Sequence, residues 1–241
     1  MLCAETDLDA LWAARELAAA GLAPLELVTA GMLASALRWS HEIEASGGAR
    51  VEIALADGRV IRSEEVAGVF NRLTYVPPPG DGLQLADSAY AAQEWQAFLV
   101  SWLHCLPGPV LNRVHPLGLS GSERPAPDWT HLAAQAGLPV IPWRSTAAAE
   151  TPPVAHARLV WVVGPQVLGT APEEEAVADG CRRLAHAADC ALLGIGMCAD
   201  AAGGWRFSTA TALPPLRPGG PALIAALAAA LRAGADSPAA P

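Results

Sequence analysis

Two dipeptides carry the chemistry most open to reading. Asn71-Arg72 follows the apolar run Val66–Phe70, and Asn112-Arg113 follows Val110-Leu111. An amide side chain offers donors and an acceptor, while a guanidinium offers a planar fork that matches carboxylate or phosphate. In an open α/β sheet, ligands sit beyond the carboxyl ends of the strands. The two pairs therefore predict a polar, anion-binding crevice. The competing reading is that each Arg pairs with a structural carboxylate such as Glu94. His115 comes next, in a Pro/Gly-rich loop over 114–128 that also carries Ser120, Gly121, Ser122 and Arg124. It suits an anion contact or a general base, although spacing pairs no nucleophile with it. Trp39, His41 and Glu42 read either as catalytic or as the edge of an amphipathic helix.

Other chemistries are excluded by what is missing. All 15 basic residues are Arg and none is Lys, against 24 carboxylates, for a net charge of -9. That balance argues against a nucleic-acid partner. It also removes a Schiff-base lysine and lysine phosphate clamps. The Ala, Arg, Gly and Pro bias fits a GC-rich, bacterial-type source. Five Cys, at 3, 105, 181, 190 and 198, form no CxxC, and the six His form no HxxxH or HExxH. No metal site is expected. Free, mostly buried thiols in a reducing cytoplasm are expected instead. The motifs GxGxxG, GxxxxGK[ST] and GxSxG are absent. Acidic residues at 5, 7 and 9 stand where a signal peptide would be basic and then apolar, and no apolar run is long enough for a membrane span.

The elements that position these residues alternate between helix and strand, which gives an α/β class. A capping-box-like start at Thr6 and Asp9 predicts a helix that stops at Gly21. Residues 25–29 read as a strand, and 31–45 as helical or irregular. Alternating Val51, Ile53 and Leu55, followed by Asp57-Gly58 and 59–62, predict a hairpin. Asp87 or Ser88 caps a helix running to about Leu106, with Trp95, Phe98 and Trp102 on its core face. A helix over 128–136 and a strand over 138–142 follow. Arg158–Val163 and Gln166–Leu168 read as strands, and Pro172 with Glu173–Glu175 opens a helix reaching His186. Ala191–Met197 pairs with Gly204–Ser208, and Pro221 starts a closing helix.

The order of several segments resembles a known family. Asp7–Trp12, Leu25–Val28, Asp57–Arg59, Val69–Leu73, Gln93–Leu99 and Val110–Arg113 are similar to the N-terminal domain of ATP-grasp peptide ligases. The nearest likeness is to the glutamate-ligase-like and graspetide-maturase type. Arg158–Leu168 looks like the strand pair that carries an Arg in those enzymes. Leu192–Met197, Gly203–Phe207 and Pro214–Leu216 look like their metal-binding end. The resemblance implies a pre-ATP-grasp-like open sheet with flanking helices over 1–142. It further implies a linker over 143–157 in place of the lid and a shortened α+β ATP-grasp remnant over 158–234; the tail over 235–241 reads from its own composition as disordered.

Active members read roughly Gly-hydrophobic-Asp and then Phe-hydrophobic-Glu-x-Asn, whose acids and amide hold the magnesium that bridges the ATP phosphates. Here Gly196 stands at the first acid, and Thr209 and Thr211 stand at the Glu and Asn. Neutral hydroxyls do not replace carboxylate charge for a hard cation. Acylphosphate formation depends on metal and cationic neutralisation. The resemblance therefore implies a truncated, degenerate member with no catalytic residues and no cofactor. It would bind a peptide or small anionic ligand through Asn71, Arg72, Asn112, Arg113, His115 and Arg158, or pair with a modifying enzyme as a homo- or hetero-oligomer. The alternative is a carboxylate-amine ligase that uses ATP and magnesium with acids from a partner subunit.

Overall fold

The computed structural model describes residues 1–45, 47–78, 85–106, 108–144, 158–171, 174–200 and 204–233. Its first half is built on four short parallel strands, β1 (Leu2–Cys3), β2 (Val28–Thr29), β6 (Val69–Phe70) and β7 (Val110–Leu111). β1 pairs with β2, β6 pairs with β7, and a Leu2–Asn71 bridge joins the two pairs into the order β2-β1-β6-β7. Helix α1 (Leu8–Ala19) connects β1 to β2, and α3 (Leu85–His104) connects β6 to β7. Successive strand residues point to opposite faces. Val69 and Val110 accordingly enter a core with Leu99, Trp102 and Leu103 of α3, whereas Phe70 and Leu111 meet Ala13 and Leu17 of α1.

Between β2 and β6 lie α2 (Ala30–Ala34) and the antiparallel meander β3 (Arg38–Ile43), β4 (Ala49–Ala54) and β5 (Val60–Arg62). Val51, Ile53 and Leu55 face α3, as their alternation requires. The expected Asp-Gly turn is present: Gly58 sits at φ +91°, and Asp57 accepts the Arg59 N–H at 3.0 Å. Trp39 lies at the centre of the aromatic cluster, with its ring 5.4 Å from Trp95, 5.4 Å from Phe98 and 5.0 Å from Trp102.

The second half is an antiparallel sheet in the order β11-β10-β8-β9: Trp205–Thr211, Leu192–Ala199, Arg158–Val163 and Gln166–Leu168. One face (Val160, Val162, Leu193, Ile195, Met197) packs on α4 (Ala126–Gln135) and α5 (Glu175–Ala187). The other face (Trp161, Val163, Leu192) packs on α6 (Gly220–Arg232). That helix also meets Phe70 and Leu111, so its apolar face is buried within the chain, between the two sheets.

Several expectations need correction. The first helix is capped by Asp7, whose Oδ1 accepts the Ala10 N–H at 2.9 Å, so the Thr6–Asp9 box is not the device used. Residues 31–45 are not one helix. After α2 the β-branched and aromatic content of 38–43 pairs with β4, and His41 lies on a strand. The strands expected over 25–29 and 66–70 shrink to two residues each. Asp87 and Ser88 fall inside α3, which starts at Leu85. Of the strand over 138–142, only a Val140–Phe207 bridge forms. Residues 145–157 of the linker, Pro172 and Glu173, and the tail over 235–241 lie outside the described residues.

Candidate functional site

The two Asn-Arg pairs stand at the carboxyl ends of neighbouring parallel strands; Asn71, Arg72 and Asn112 turn their side chains inward, whereas Arg113 is exposed. Asn71 is 1% exposed; its amide donates to the carbonyls of Asn112 at 3.1 Å and Leu119 at 2.8 Å, and its Oδ1 accepts the Leu73 N–H at 3.2 Å. Asn112 donates to the carbonyls of Leu192 at 3.0 Å and Ala212 at 2.6 Å, while its Oδ1 accepts the Leu192 N–H at 2.9 Å. Arg72 forks onto Asp7, with Nε at 2.7 Å and Nη2 at 3.4 Å from the two carboxylate oxygens, and its Nη1 donates to the Pro214 carbonyl at 3.2 Å. Its carboxylate partner is thus Asp7 rather than Glu94. The three residues form one buried polar node that joins the start of α1, the loop after β7 and the strand ends at 192 and 212–214.

Arg113 and His115 face outward from the same loop. Arg113 is exposed and donates to the Gly108 carbonyl at 2.9 Å. His115 exchanges backbone hydrogen bonds with Gly118, both at 2.9 Å, and its Nδ1 accepts the Leu117 N–H at 3.1 Å. With Nδ1 accepting, the neutral ring carries its proton on Nε2. Arg158 belongs to the other sheet. It pairs with Glu174 at 2.5 Å and stacks 4.0 Å from the Trp205 ring centre. The Ala171 N–H and the Arg158 guanidinium hold the Glu174 carboxyl below the usual carboxylate range. The structure therefore groups Asn71, Arg72 and Asn112, places Arg113 and His115 on the adjoining surface, and sets Arg158 apart.

The strand pair that the resemblance assigns to magnesium does not fit the ion. Gly196 lies opposite Thr209 across β10 and β11, and a bulge follows between Gly196 and Met197. Glycine brings no ligand. The Thr211 hydroxyl accepts the Leu213 N–H at 3.0 Å. Among the described residues, no three His, Cys, Asp or Glu side chains converge to hold a metal.

Beside Thr211 lies a cavity of about 130 Å³ lined by Ser122, Glu123, Arg124, Trp129, Ala210, Thr211 and Ala212. The sequence places Ser122 and Arg124 in the 114–128 loop without giving them a role. Nothing in their spacing reveals that β11 closes over them. Burial pushes the Cys3 thiol up to about 11 and the Cys181 thiol up to about 12, and it raises Cys190 as well. No helix among the described residues is long and apolar enough to cross a membrane.

No family model and no curated protein matches the chain. Solved structures do. The macrocyclase MdnC of Microcystis aeruginosa MRC, bound with precursor peptide MdnA, superposes with a TM-score of 0.67 at 12% identity, over 95% of this chain and 98% of that one. A RiPP-associated ATP-grasp ligase of Chryseobacterium gregarium, in complex with ADP and a leader and core peptide, gives 0.66 at 10% identity, over 98% and 96%. The ATP-grasp ligase PsnB, complexed with a phosphomimetic variant of minimal precursor, Mg and ADP, gives 0.65 at 17% identity, over 96% of both chains. The likeness spans nearly the whole chain and shows the fold, that of the ATP-grasp peptide ligases, as the resemblance implied.

Proposed function

We propose that this chain is a non-catalytic protein on an ATP-grasp scaffold, which holds a peptide or small anionic ligand or pairs with a peptide-modifying enzyme in the cytoplasm. One observation carries the reading. The strand pair that would hold magnesium presents Gly196, Thr209 and Thr211, a set without carboxylate charge. Phosphoryl transfer to a carboxylate relies on that charge to place the metal against the phosphates. The chain also lacks any Lys to clamp them. Binding of a peptide is suggested by neighbours solved with precursor peptides. In this reading Arg113 and His115 contact the ligand, while Asn71, Arg72 and Asn112 hold their loop in place. Arg158 would serve a ligand lying across the second sheet.

Titration calorimetry and thermal shift of the purified chain with ATP and magnesium test the proposal. No heat, no shift and no ADP release are expected. Magnesium-dependent ADP release by the chain alone overturns it. The ligase neighbours favour a second reading, in which a partner subunit supplies the missing acids. ADP release that arises only on mixing with such a subunit would establish that reading in place of the first.

A further inference from the structure

The antiparallel meander leaves one side of β3 open: among the described residues its order is β3-β4-β5, so β3 pairs only with β4. The hairpin sets the phase of that pairing, with the Glu44 N–H donating to the Gly48 carbonyl at 2.7 Å. Every second residue back from it, Glu42, Ser40 and Arg38, directs its backbone groups at β4. Trp39, His41 and Ile43 direct theirs away. A free strand edge is a template for another strand, and natural chains blunt it with Pro, bulges or charge. β3 contains no Pro, and its register with β4 runs from Arg38 to Ile43 without a bulge. Leu37 and Ile43 bracket it, 76% and 64% exposed.

Charge and pattern select the occupant. Arg38 bonds Glu52 on the face of β3 turned away from the aromatic cluster. Glu42 shares that face, is exposed and makes no ion pair among the described residues, because Arg50 opposite it pairs with Glu44. A second β3 laid antiparallel about a two-fold axis through Ser40 completes the set. Leu37 then faces Ile43 of the second copy, Arg38 faces Glu42, and Trp39 faces His41, each contact made twice by symmetry. In this register the outward backbone groups of Trp39 and His41 fall opposite one another, as an antiparallel ladder requires. An axis through His41 would instead set two imidazoles face to face and leave Leu37 beyond the end of the facing strand. A seam of this length is small for a stable interface, so the pair should dissociate on dilution.

We infer that β3 is a self-recognition edge, through which a second copy of this chain pairs antiparallel over residues 37–43 and joins the two meanders into one sheet. The inference goes beyond the reading above and holds whether or not the chain binds ATP or a peptide. Sedimentation equilibrium of the full chain over a concentration series tests it. A reversible dimer is expected, weakened about tenfold or more in Glu42→Arg and in Arg38→Glu, since each sets like charges face to face. Mixing the two variants in equal amounts is expected to restore the dimer, because every facing pair is then opposite in sign. Ser40→Cys is expected to give a disulfide-linked dimer under mild oxidation, as facing residues on the axis bring their Cβ atoms within about 5 Å. Hydrogen exchange at the Trp39, His41 and Ile43 amides should be slow in the dimer and quicken on dilution. A monomer at every concentration overturns the inference. Fast exchange of those amides in the monomer then leaves the edge to a different chain, and slow exchange assigns it to a segment of this one. A dimer that neither folded charge variant weakens, and that Ser40→Cys does not cross-link, places the interface elsewhere and overturns it too. None of these outcomes depends on the ATP and magnesium titration, so either proposal can fail without the other.

Discussion

Asn112 holds φ at +59°, a left-handed backbone that Asn tolerates better than other non-glycine residues, and from there its amide reaches two carbonyls and one N–H across the chain. Removing it orphans buried backbone groups and leaves Ala in a strained conformation. Asn112→Ala is expected to cost about 3 kcal/mol in urea unfolding. Arg72 is the second anchor. Its fork on Asp7 is 5% exposed on the Arg side and 18% on the Asp side. Arg72→Ala leaves a mostly buried carboxylate unpaired and is expected to cost about 3 kcal/mol, and Arg72→Lys recovers only part because it cannot reproduce the fork. Losses of that size without a local change at Arg113 or His115 would identify the pair as scaffold. The types and the strand-end position of these Asn and Arg residues were legible in the sequence. Their direction was not, since a strand end does not say whether its side chains meet a ligand or the neighbouring sheet.

At the scale of elements, α6 has a clear task. Leu223, Leu227 and Leu231 are buried between the two sheets, so Leu227→Ala is expected to cost about 2–5 kcal/mol by leaving a cavity there. An association state unchanged from wild type, with the loss seen only in denaturant midpoint, would match an internal helix. Helix α5 carries a pH signature. Burial raises the Cys181 thiol from 9.0 to about 12. The folded chain therefore keeps this proton where the unfolded chain has shed it. The contribution is fully present below pH 9.0 and is lost as pH climbs towards about 12. Urea midpoints should fall over that window, and Cys181→Ala should flatten the slope. The apolar periodicity of α3 and α6, the acidic start of α5 and the Asp57-Gly58 turn marked these elements in advance. The strand β3 escaped because its Trp39, His41 and Glu42 alternate too weakly to outweigh a helical spacing.

For the whole molecule, charge and layering matter most. A net charge of -9 on an Arg-only chain predicts no retention on heparin or duplex DNA at physiological salt, and salt-sensitive retention would contradict it. The two sheets share a core of Phe70, Leu111, Trp161 and Leu192, with α1 and α6 between them. Asn112 and Arg72 add polar ties from the first sheet to residues 192, 212 and 214. Disturbing that seam should lower the stability of both halves together, visible as a single unfolding transition by tryptophan fluorescence and by circular dichroism.

Part of the local order was legible in the sequence alone: alternating apolar residues, glycine turns and helix periodicity act over a few neighbours, and the replacement of acids by Gly196, Thr209 and Thr211 needs only comparison with the family's pattern. Tertiary structure decided everything that depends on two distant segments meeting. Arg72 found Asp7 rather than Glu94, Asn112 found the β10 backbone, and the loop at 122–124 came under β11 to enclose two unsatisfied donors. Those outcomes rest on which groups lose water together when the sheets close, a property of the folded whole that no spacing along the chain encodes.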